Sequence, residues 1–349
     1  MTAPEATSDA TTEANKPALV MGASGFLGGH ITRQLCEAGR QVRVMLRDTS
    51  DTRSLDGLSV ERFIGDINDT ESMQAAMKDV GTIFYNVVDT RSWLTDPAPL
   101  YRTNVDGLKN VVHTAKQMGI SRFVFTSSMV TLARHSGSPA NEEAAFDWWH
   151  EAPAYVKTRV EAEQFVLNQY LIEDFPAVVL CVANTYGPHD YQPTPHGNAL
   201  WQAARGKGAA LDCGIPTVDI RDAASAALLA EKRGRLGERY AIVNEFIQQP
   251  TLCAMAAQVL GKEPPKTIPM WQAYTVATIA ELINRLRGIR DSKFCRSSMF
   301  LSEAFGPMSH EKAAQELGWL PRPLEQTVTD TIQSYQTLFG ITQTKSENP

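Results

Sequence analysis

Three glycines at fixed spacing, in Gly22-Ala23-Ser24-Gly25-Phe26-Leu27-Gly28, directly follow the apolar run 18–21 and open a segment with helical spacing at 27–38. Glycines in such a strand-to-helix turn allow a tight reversal. They also let backbone amides approach a pyrophosphate, which sits at the positive end of the helix dipole. A strand-helix unit of this kind needs further strands beside it and a sheet beneath its helix. The chain supplies them: residues 41–46, 60–63, 82–88, 122–126 and 177–183 are short apolar or β-branched runs, and helical spacing returns at 103–118. Strands alternating with helices pair in parallel through crossovers. The expected fold class is therefore α/β, a Rossmann-type doubly wound parallel sheet with a smaller C-terminal substrate-binding lobe.

After Asn184 the alternation breaks into Pro- and Gly-rich loops and later helices. This places the NAD(P)-binding Rossmann domain at 17–185, with a return near 217–245, and the substrate-binding lobe at 186–216 and 246–340. Residues 1–16 contain no Leu, Ile, Val or aromatic side chain, so they can bury too little to offset ordering entropy, and a disordered tail is expected. Residues 341–349 read as a second, flexible tail. The net charge of -6 gives no basic footprint for nucleic acid. Five scattered cysteines without metal-ligand spacing read as reduced thiols of a cytoplasmic protein, with no metal site. No run of about 18 apolar residues marks a membrane span.

The residues after the second and third runs bear on cofactor choice. An enzyme using NAD usually ends its second strand with an acid for the ribose hydroxyls; Leu46 stands there, followed by Arg47. A guanidinium can make charge-assisted bonds to a 2'-phosphate, so NADP(H) is favoured and NAD(H) stays open. The alternatives are a solvated Arg47 and an Asp48 that turns back to the ribose. Asp66 and Ile67 offer a carboxylate and an apolar side chain for adenine. Ser24, Phe26 and Leu27 in the glycine turn, and Val87 at the end of the fourth run, complete the expected cofactor contacts.

In Ala154-Tyr155-Val156-Lys157-Thr158-Arg159, a phenol and a cation lie four residues apart and so share one helix face. Such a pair can protonate a ketone or deprotonate an alcohol. Lys157 lies two residues past Tyr155, roughly on the opposite side of the helix. Thr126-Ser127-Ser128 ends another strand, where a hydroxyl can hold a substrate oxygen.

With these pieces in order, the chain resembles the extended short-chain dehydrogenase/reductase family over about residues 17–339. The resemblance rests on the glycine turn, Gly65-Asp66, Asn104-Val-Asp-Gly107, Phe125-Thr-Ser-Ser128, the Tyr155 helix with Ala162-Glu163, Tyr186-Gly-Pro188, Val218-Asp-Ile-Arg-Asp222, Gly237-Glu-Arg-Tyr240 and Glu316-Leu-Gly-Trp319. Within the family, Arg91-Ser-Trp93, Asp96-Pro97, Leu100-Tyr-Arg-Thr-Asn104 and Pro193-Thr-Pro-His-Gly197 look most like dihydroflavonol-reductase-like proteins, including those labelled hopanoid-associated sugar epimerases. The resemblance implies Tyr155 as acid/base, Ser128 as holder of the substrate oxygen with Ser127 as an alternative, Asn104 as a support, and a homodimer through the helices around 104–118 and 155–170.

The departures carry information too. The family lysine four residues after the tyrosine is Arg159, which keeps a cation but in practice is never deprotonated. The usual Arg-Pro of the sixth strand is Cys181-Val182. Where sugar-nucleotide epimerases carry a cation for the substrate diphosphate, the chain reads Cys213-Gly-Ile-Pro-Thr217. An uncharged, fairly apolar substrate follows, with Trp93, Asn184 and Tyr186 as candidate contacts. Residues 268–286 carry Trp271, Tyr274, Ile279, Leu282, Ile283 and Leu286 at helical spacing, which suits a lid helix, a core helix or a membrane-surface helix. The leading expectation is an NADP(H)-dependent oxidoreductase acting on a hydrophobic hydroxy or oxo compound. Its rivals are a sugar epimerase or dehydratase that recycles its cofactor, and a cofactor-binding sensor or scaffold with impaired catalysis.

Overall fold

A computed structural model of the chain describes residues 16–134 and 139–340. Apart from Lys16, the tails expected at 1–16 and 341–349 lie outside the described residues.

Seven strands, numbered in chain order, form the main sheet: β1 (Ala18–Met21), β2 (Val42–Leu46), β3 (Glu61–Ile64), β4 (Thr82–Tyr85), β5 (Arg122–Ser128), β6 (Ala177–Val182) and β10 (Arg239–Ile242). Their spatial order is β10-β6-β5-β4-β1-β2-β3, and every pairing is parallel. β1, β4 and β6 are buried along their whole length, which is why they read as unbroken apolar runs rather than alternating ones. The chain order reverses between β1 and β4. Parallel pairing therefore brings the carboxyl ends of all seven strands to one edge, with the ligand crevice of a doubly wound sheet at the reversal.

The crossover helices are α1 (Phe26–Glu37), α2 (Thr70–Met77), α3 (Ala98–Tyr101), α4 (Gly107–Gln117), α5 (Ala154–Glu173) and α7 (Ile220–Arg233). α1 packs on α7, and α4 on α5. The run expected to be helical at 103–118 is interrupted: Arg102–Asp106 forms a π turn between α3 and α4. One-turn π insertions of this kind recur at functional sites. The strand expected over 82–88 ends at Tyr85, where the Asn86 side-chain amide donates to the carbonyls of Met21 at 3.4 Å and Phe84 at 3.2 Å. The strand expected to end at 126 continues to Ser128.

A smaller lobe follows β6. Its sheet is β11-β9-β7, from β7 (Asn184–Tyr186), β9 (Gly214–Asp219) and β11 (Glu245–Gln248), and a short pair joins β8 (Ala210–Leu211) to β12 (Thr267–Ile268). Helices α6 (Pro195–Ala204), α8 (Gln249–Val259) and α11 (Leu324–Phe339) enclose a second apolar core around Tyr186, Trp201, Leu252 and Val328. Two more helices, α9 (Met270–Leu286) and α10 (Arg296–Glu303), lie outside it.

The family-like motif at 218–222 fastens the lobe. Buried Asp222 accepts from the Arg322 amide at 2.8 Å and from its guanidinium at 2.7 and 2.9 Å, while the Trp319 indole donates to the Asp222 carbonyl at 2.8 Å. A second tie runs from α1. The His30 ring nitrogen meets the Pro188 carbonyl at 2.9 Å, and burial, the largest influence, lowers the His30 pKa from 6.5 to about 4.

The sign of that shift fixes an acid response. The unfolded chain takes up the proton first as pH falls, so the stabilisation from a neutral His30 is full above about pH 6.5 and is lost between there and about pH 4. Burial also lowers the pKa of His196, which adds in the same direction. Urea unfolding should show a loss on going from about pH 7.5 to 4.5, and His30→Gln should remove about 2–3 kcal/mol of it. An identical pH dependence in the variant would contradict this assignment.

Candidate active site

The glycine turn has the shape its sequence requires. Gly22 adopts φ +81°, and a Cβ there would lie 2.8 Å from the Asn86 carbonyl oxygen; a Cβ on Gly28 would lie 2.2 Å from the Gly22 carbonyl oxygen. Larger residues at either position would push β1, β4 and α1 apart. Gly25 stands at the α1 N-cap with no capping side chain, and the first turn carries no acid. The first-turn amides and the positive helix end are therefore open to an anion. Ser24, Phe26 and Leu27 flank this opening and are partly exposed.

The other expected cofactor residues lie on the same carboxyl edge. Arg47 follows β2 and is exposed; its backbone amide donates to the Ser50 hydroxyl at 3.1 Å. Asp66 follows β3, is exposed, and accepts from the amide and side chain of Asn68, both at 2.8 Å. That Asx turn leaves its second carboxylate oxygen available. Ile67 is buried and packs so close to Gly107 that a Cβ there would lie 2.3 Å from its δ-methyl. It shapes the pocket floor from behind. Val87, after β4, is partly exposed beside Gly22.

The residues expected to do the chemistry sit at the ends of β5 and α5. Ser128 ends β5, and its hydroxyl accepts only a long bond, 3.4 Å, from the Val130 amide, so its proton stays available. Ser127 points the other way. Buried, it donates to the Glu163 carboxylate, so it cannot act as the alternative to Ser128. Tyr155, in the first turn of α5, is half-buried. Lys157 is directed to the Trp149 ring, 5.6 Å from its centroid, away from the Tyr155 face.

Asn104 lies in the π turn and is buried. Its carbonyl accepts from the Asp89 amide at 2.7 Å, and its amide donates to the Asp89 carbonyl at 3.0 Å and the Thr158 hydroxyl at 3.1 Å. It thereby locks the loop after β4 to the helix that carries Tyr155. Sequence reasoning identified Asn104 as a support but missed Asp89, Thr158 and Asn86. Asn86 also accepts from the Thr126 hydroxyl at 2.6 Å, tying the ends of β1, β4 and β5 together. For Asp89 the available signal was a polar residue directly after the apolar run 82–88.

Arg159 is 2% exposed. One guanidinium nitrogen donates to the Thr126 carbonyl at 2.6 Å, and the group lies 5.2 Å from the Phe125 ring centroid. Its Nε and second Nη are buried with no protein partner, as is the Tyr85 hydroxyl, whose pKa burial raises even though the nearby Arg159 opposes the shift. Each buried unsatisfied donor of this kind costs roughly 1–3 kcal/mol. These atoms are closed off from the open crevice, whereas the glycine cradle there fits a pyrophosphate. The residues present thus fit a nicotinamide dinucleotide.

Two of the candidate substrate contacts stay near the crevice. Trp93 is partly exposed in the loop after β4, and Asn184, just beyond β6, donates to the Pro216 carbonyl at 3.2 Å. Tyr186 does not line the crevice. It is buried in the second core beside the His196 ring, because an aromatic residue on β7 faces α6 rather than the sheet edge. The Cys181-Val182 departure is compensated from the next strand. Arg239 on β10 supplies the internal cation, 2.8 Å from buried Glu163, which also accepts from Thr131 at 2.6 Å and from Cys181 at 3.4 Å. Arg239→Met should therefore cost about 3–5 kcal/mol in chemical denaturation by removing the counter-ion of buried Glu163. The double variant with Glu163→Gln should recover part of that loss; no recovery would show that the two side chains act separately.

The chain is similar to known proteins in sequence and in fold. Residues 18–244 match the model of the NAD dependent epimerase/dehydratase family. The chain is 30% identical over 324 residues to a putative dihydroflavonol 4-reductase of Synechocystis sp., covering 91% of this chain and 94% of that protein. It is 26% identical over 338 residues to the mouse (Mus musculus) sterol-4-alpha-carboxylate 3-dehydrogenase, decarboxylating, covering 93% and 92%. The crystal structure of gox2253 superposes with a TM-score of 0.82 at 32% identity, covering 93% of this chain and 98% of that one.

Proposed function

Since the chain belongs to the NAD dependent epimerase/dehydratase family, the extended short-chain dehydrogenases/reductases, we propose that it is an NADP(H)-dependent oxidoreductase interconverting a ketone or aldehyde and an alcohol on a hydrophobic small molecule. The observation that carries this reading is the pair of hydroxyls at one sheet edge. Tyr155 makes no side-chain hydrogen bond among the described residues, and Ser128 has an uncommitted proton, on elements joined by the hydrogen bond from Ser127 to Glu163. When bound, the nicotinamide supplies or accepts the hydride. Ser128 donates to the substrate oxygen and orients it. Tyr155 gives that oxygen its proton in reduction and takes it back in oxidation. The first-turn amides of α1 hold the pyrophosphate, Arg47 the 2'-phosphate, and Asp66 with Ile67 the adenine.

Two features support an apolar substrate. Residues 213–217 hold no Lys or Arg, and Gly214 to Thr217 open β9 with Ile215 buried, so no cation there meets a nucleotide diphosphate. Relatives named for sterol and dihydroflavonol substrates point the same way. The homodimer implied by the resemblance would use the outer face of α4 and α5. A groove there is lined by Lys109, His113, Lys116, Phe165, Gln169 and Glu173, which gives a polar interface.

A second reading, a cofactor-binding protein with impaired turnover, draws on the buried, acceptor-bound Arg159. With NADPH and a panel of hydrophobic ketones, the wild type should turn over, and Tyr155→Phe should lose about 10²–10⁴-fold in kcat with NADPH affinity unchanged. Tight NADPH binding without turnover in wild type, together with turnover in Arg159→Lys, would select the second reading instead.

Cofactor choice has its own test. Arg47→Ala should weaken NADPH by about 10–100-fold in a binding titration, the equivalent of one charge-assisted bond, and leave NADH nearly unchanged. Equal losses would remove Arg47 from the assignment.

A further inference from the structure

The helix α9 presents its large apolar side chains outward. Trp271, Val276, Ile279, Leu282, Ile283 and Leu286 are all exposed, Trp271 at 67% and Leu286 at 80%. At 100° per residue they fall within an arc of about 140°. The opposite side is small: Ala273 and Ala277 are fully buried against Met299 of α10. The helix is thus attached through alanines and turns an unpartnered apolar stripe to the outside, the reverse of an ordinary surface helix. Of the three readings open from the sequence, a core helix is excluded by this exposure. Ile289 and Phe294, also exposed, extend the surface past the helix end.

The same region is basic in a chain of net charge -6. Arg285, Arg287, Arg290, Lys293 and Arg296 are exposed around the C-terminal end of α9. The two acids of the stretch are engaged with backbone: Glu281 accepts from the Arg296 amide at 2.7 Å and Asp291 from the Thr95 amide at 2.9 Å.

Charge and composition select the occupant. Residues 1–15 contain no Leu, Ile, Val or aromatic side chain, and 341–349 contain one, Ile341, so neither segment can cover the stripe. A second copy laid antiparallel along it would bring residues 264–280, which hold no acid, against the cations. An anionic lipid surface satisfies both parts, with acyl chains for the stripe and headgroup phosphates for the basic cluster.

We propose that α9 and residues 287–296 dock the protein on an anionic lipid bilayer, with α9 lying in the interface and its apolar stripe among the acyl chains. No helix of the described residues is long and apolar enough to cross a membrane, so the attachment is peripheral. Its place in the fold is apt. The Thr95 hydroxyl donates to the Arg290 carbonyl at 2.8 Å, and Lys293 lies 5.4 Å from the Trp93 ring centroid. These contacts join the docking surface to the loop after β4 that Asn104 holds beside the Tyr155 helix. A hydrophobic substrate dissolved in the bilayer would thus meet the crevice mouth at the membrane. The proposal stands on the surface itself and does not depend on the redox reading.

The test uses the full chain with vesicles of phosphatidylcholine containing phosphatidylglycerol, and with phosphatidylcholine alone. The wild type should sediment with the anionic vesicles, less so at high salt, and brominated acyl chains should quench Trp271, judged against Trp271→Phe. Arg285→Gln with Arg287→Gln and Arg290→Gln should weaken anionic-vesicle binding about a hundredfold. Ile279→Ser with Leu282→Ser should weaken it about tenfold or more. A far-UV circular-dichroism spectrum and urea midpoint kept in both variants report that they fold. A wild type that stays in the supernatant with both vesicle types would overturn the proposal. So would binding that neither variant weakens, or a concentration-dependent dimer that the Ser variant dissociates without any vesicle binding.

Discussion

A buried carboxylate holds the Tyr155 helix to the sheet. Glu163, midway along α5, accepts from Ser127 on β5, Thr131 just after it, Cys181 on β6 and Arg239 on β10. Removing one partner of such a cluster leaves a charge without water or a counter-ion, which is far costlier than losing a surface pair. The cluster therefore fixes both the depth and the rotation of α5 against three strands. Tyr155, two turns earlier on the same rigid element, inherits that placement. Asn104 adds the second constraint through Thr158, so the Tyr155 hydroxyl is set by two polar locks rather than by its own contacts.

Arg159 follows from the same packing. One turn beyond Tyr155, it is pressed between α5 and β5, where it gains the Thr126 carbonyl and the Phe125 face. A lysine there would carry its charge on a flexible stem with three donors. A guanidinium is planar and keeps its proton. It can hold a fixed positive field, but it cannot relay a proton. On the proposed reading the proton belongs to Tyr155 and the orientation of the substrate oxygen to Ser128, with Arg159 a fixed cation.

Much of this was legible in the sequence because the relevant signals are local. The glycine spacing dictates a turn in which Gly22 has φ +81° and Gly28 almost touches its carbonyl, and fully buried strands leave unbroken apolar runs. The Arg47 and Asp66 positions followed from their places after strands. What could not be read was tertiary. Nothing local says that Asn86 bridges three strand ends, that Ser127 serves Glu163 while Ser128 stays free, or that Arg239 replaces a cation missing from the sixth strand. Tyr186 was misplaced for a related reason: its motif gave its position in the chain, but not the face of β7 from which it enters the second core. The periodicity of α9 was clear, yet an apolar stripe has the same period whether it meets a core or faces outward.

On the proposed reading the enzyme reduces or oxidises a carbonyl carbon in an apolar compound, and the cofactor is consumed rather than recycled. The most direct measurement is isotopic: turnover of a hydrophobic ketone with NADPH deuterated at the transferred position, read by mass spectrometry of the product and by NADPH absorbance. The account predicts one deuterium in each alcohol formed and one NADPH consumed for it. Product formed without deuterium and without net loss of NADPH would contradict it.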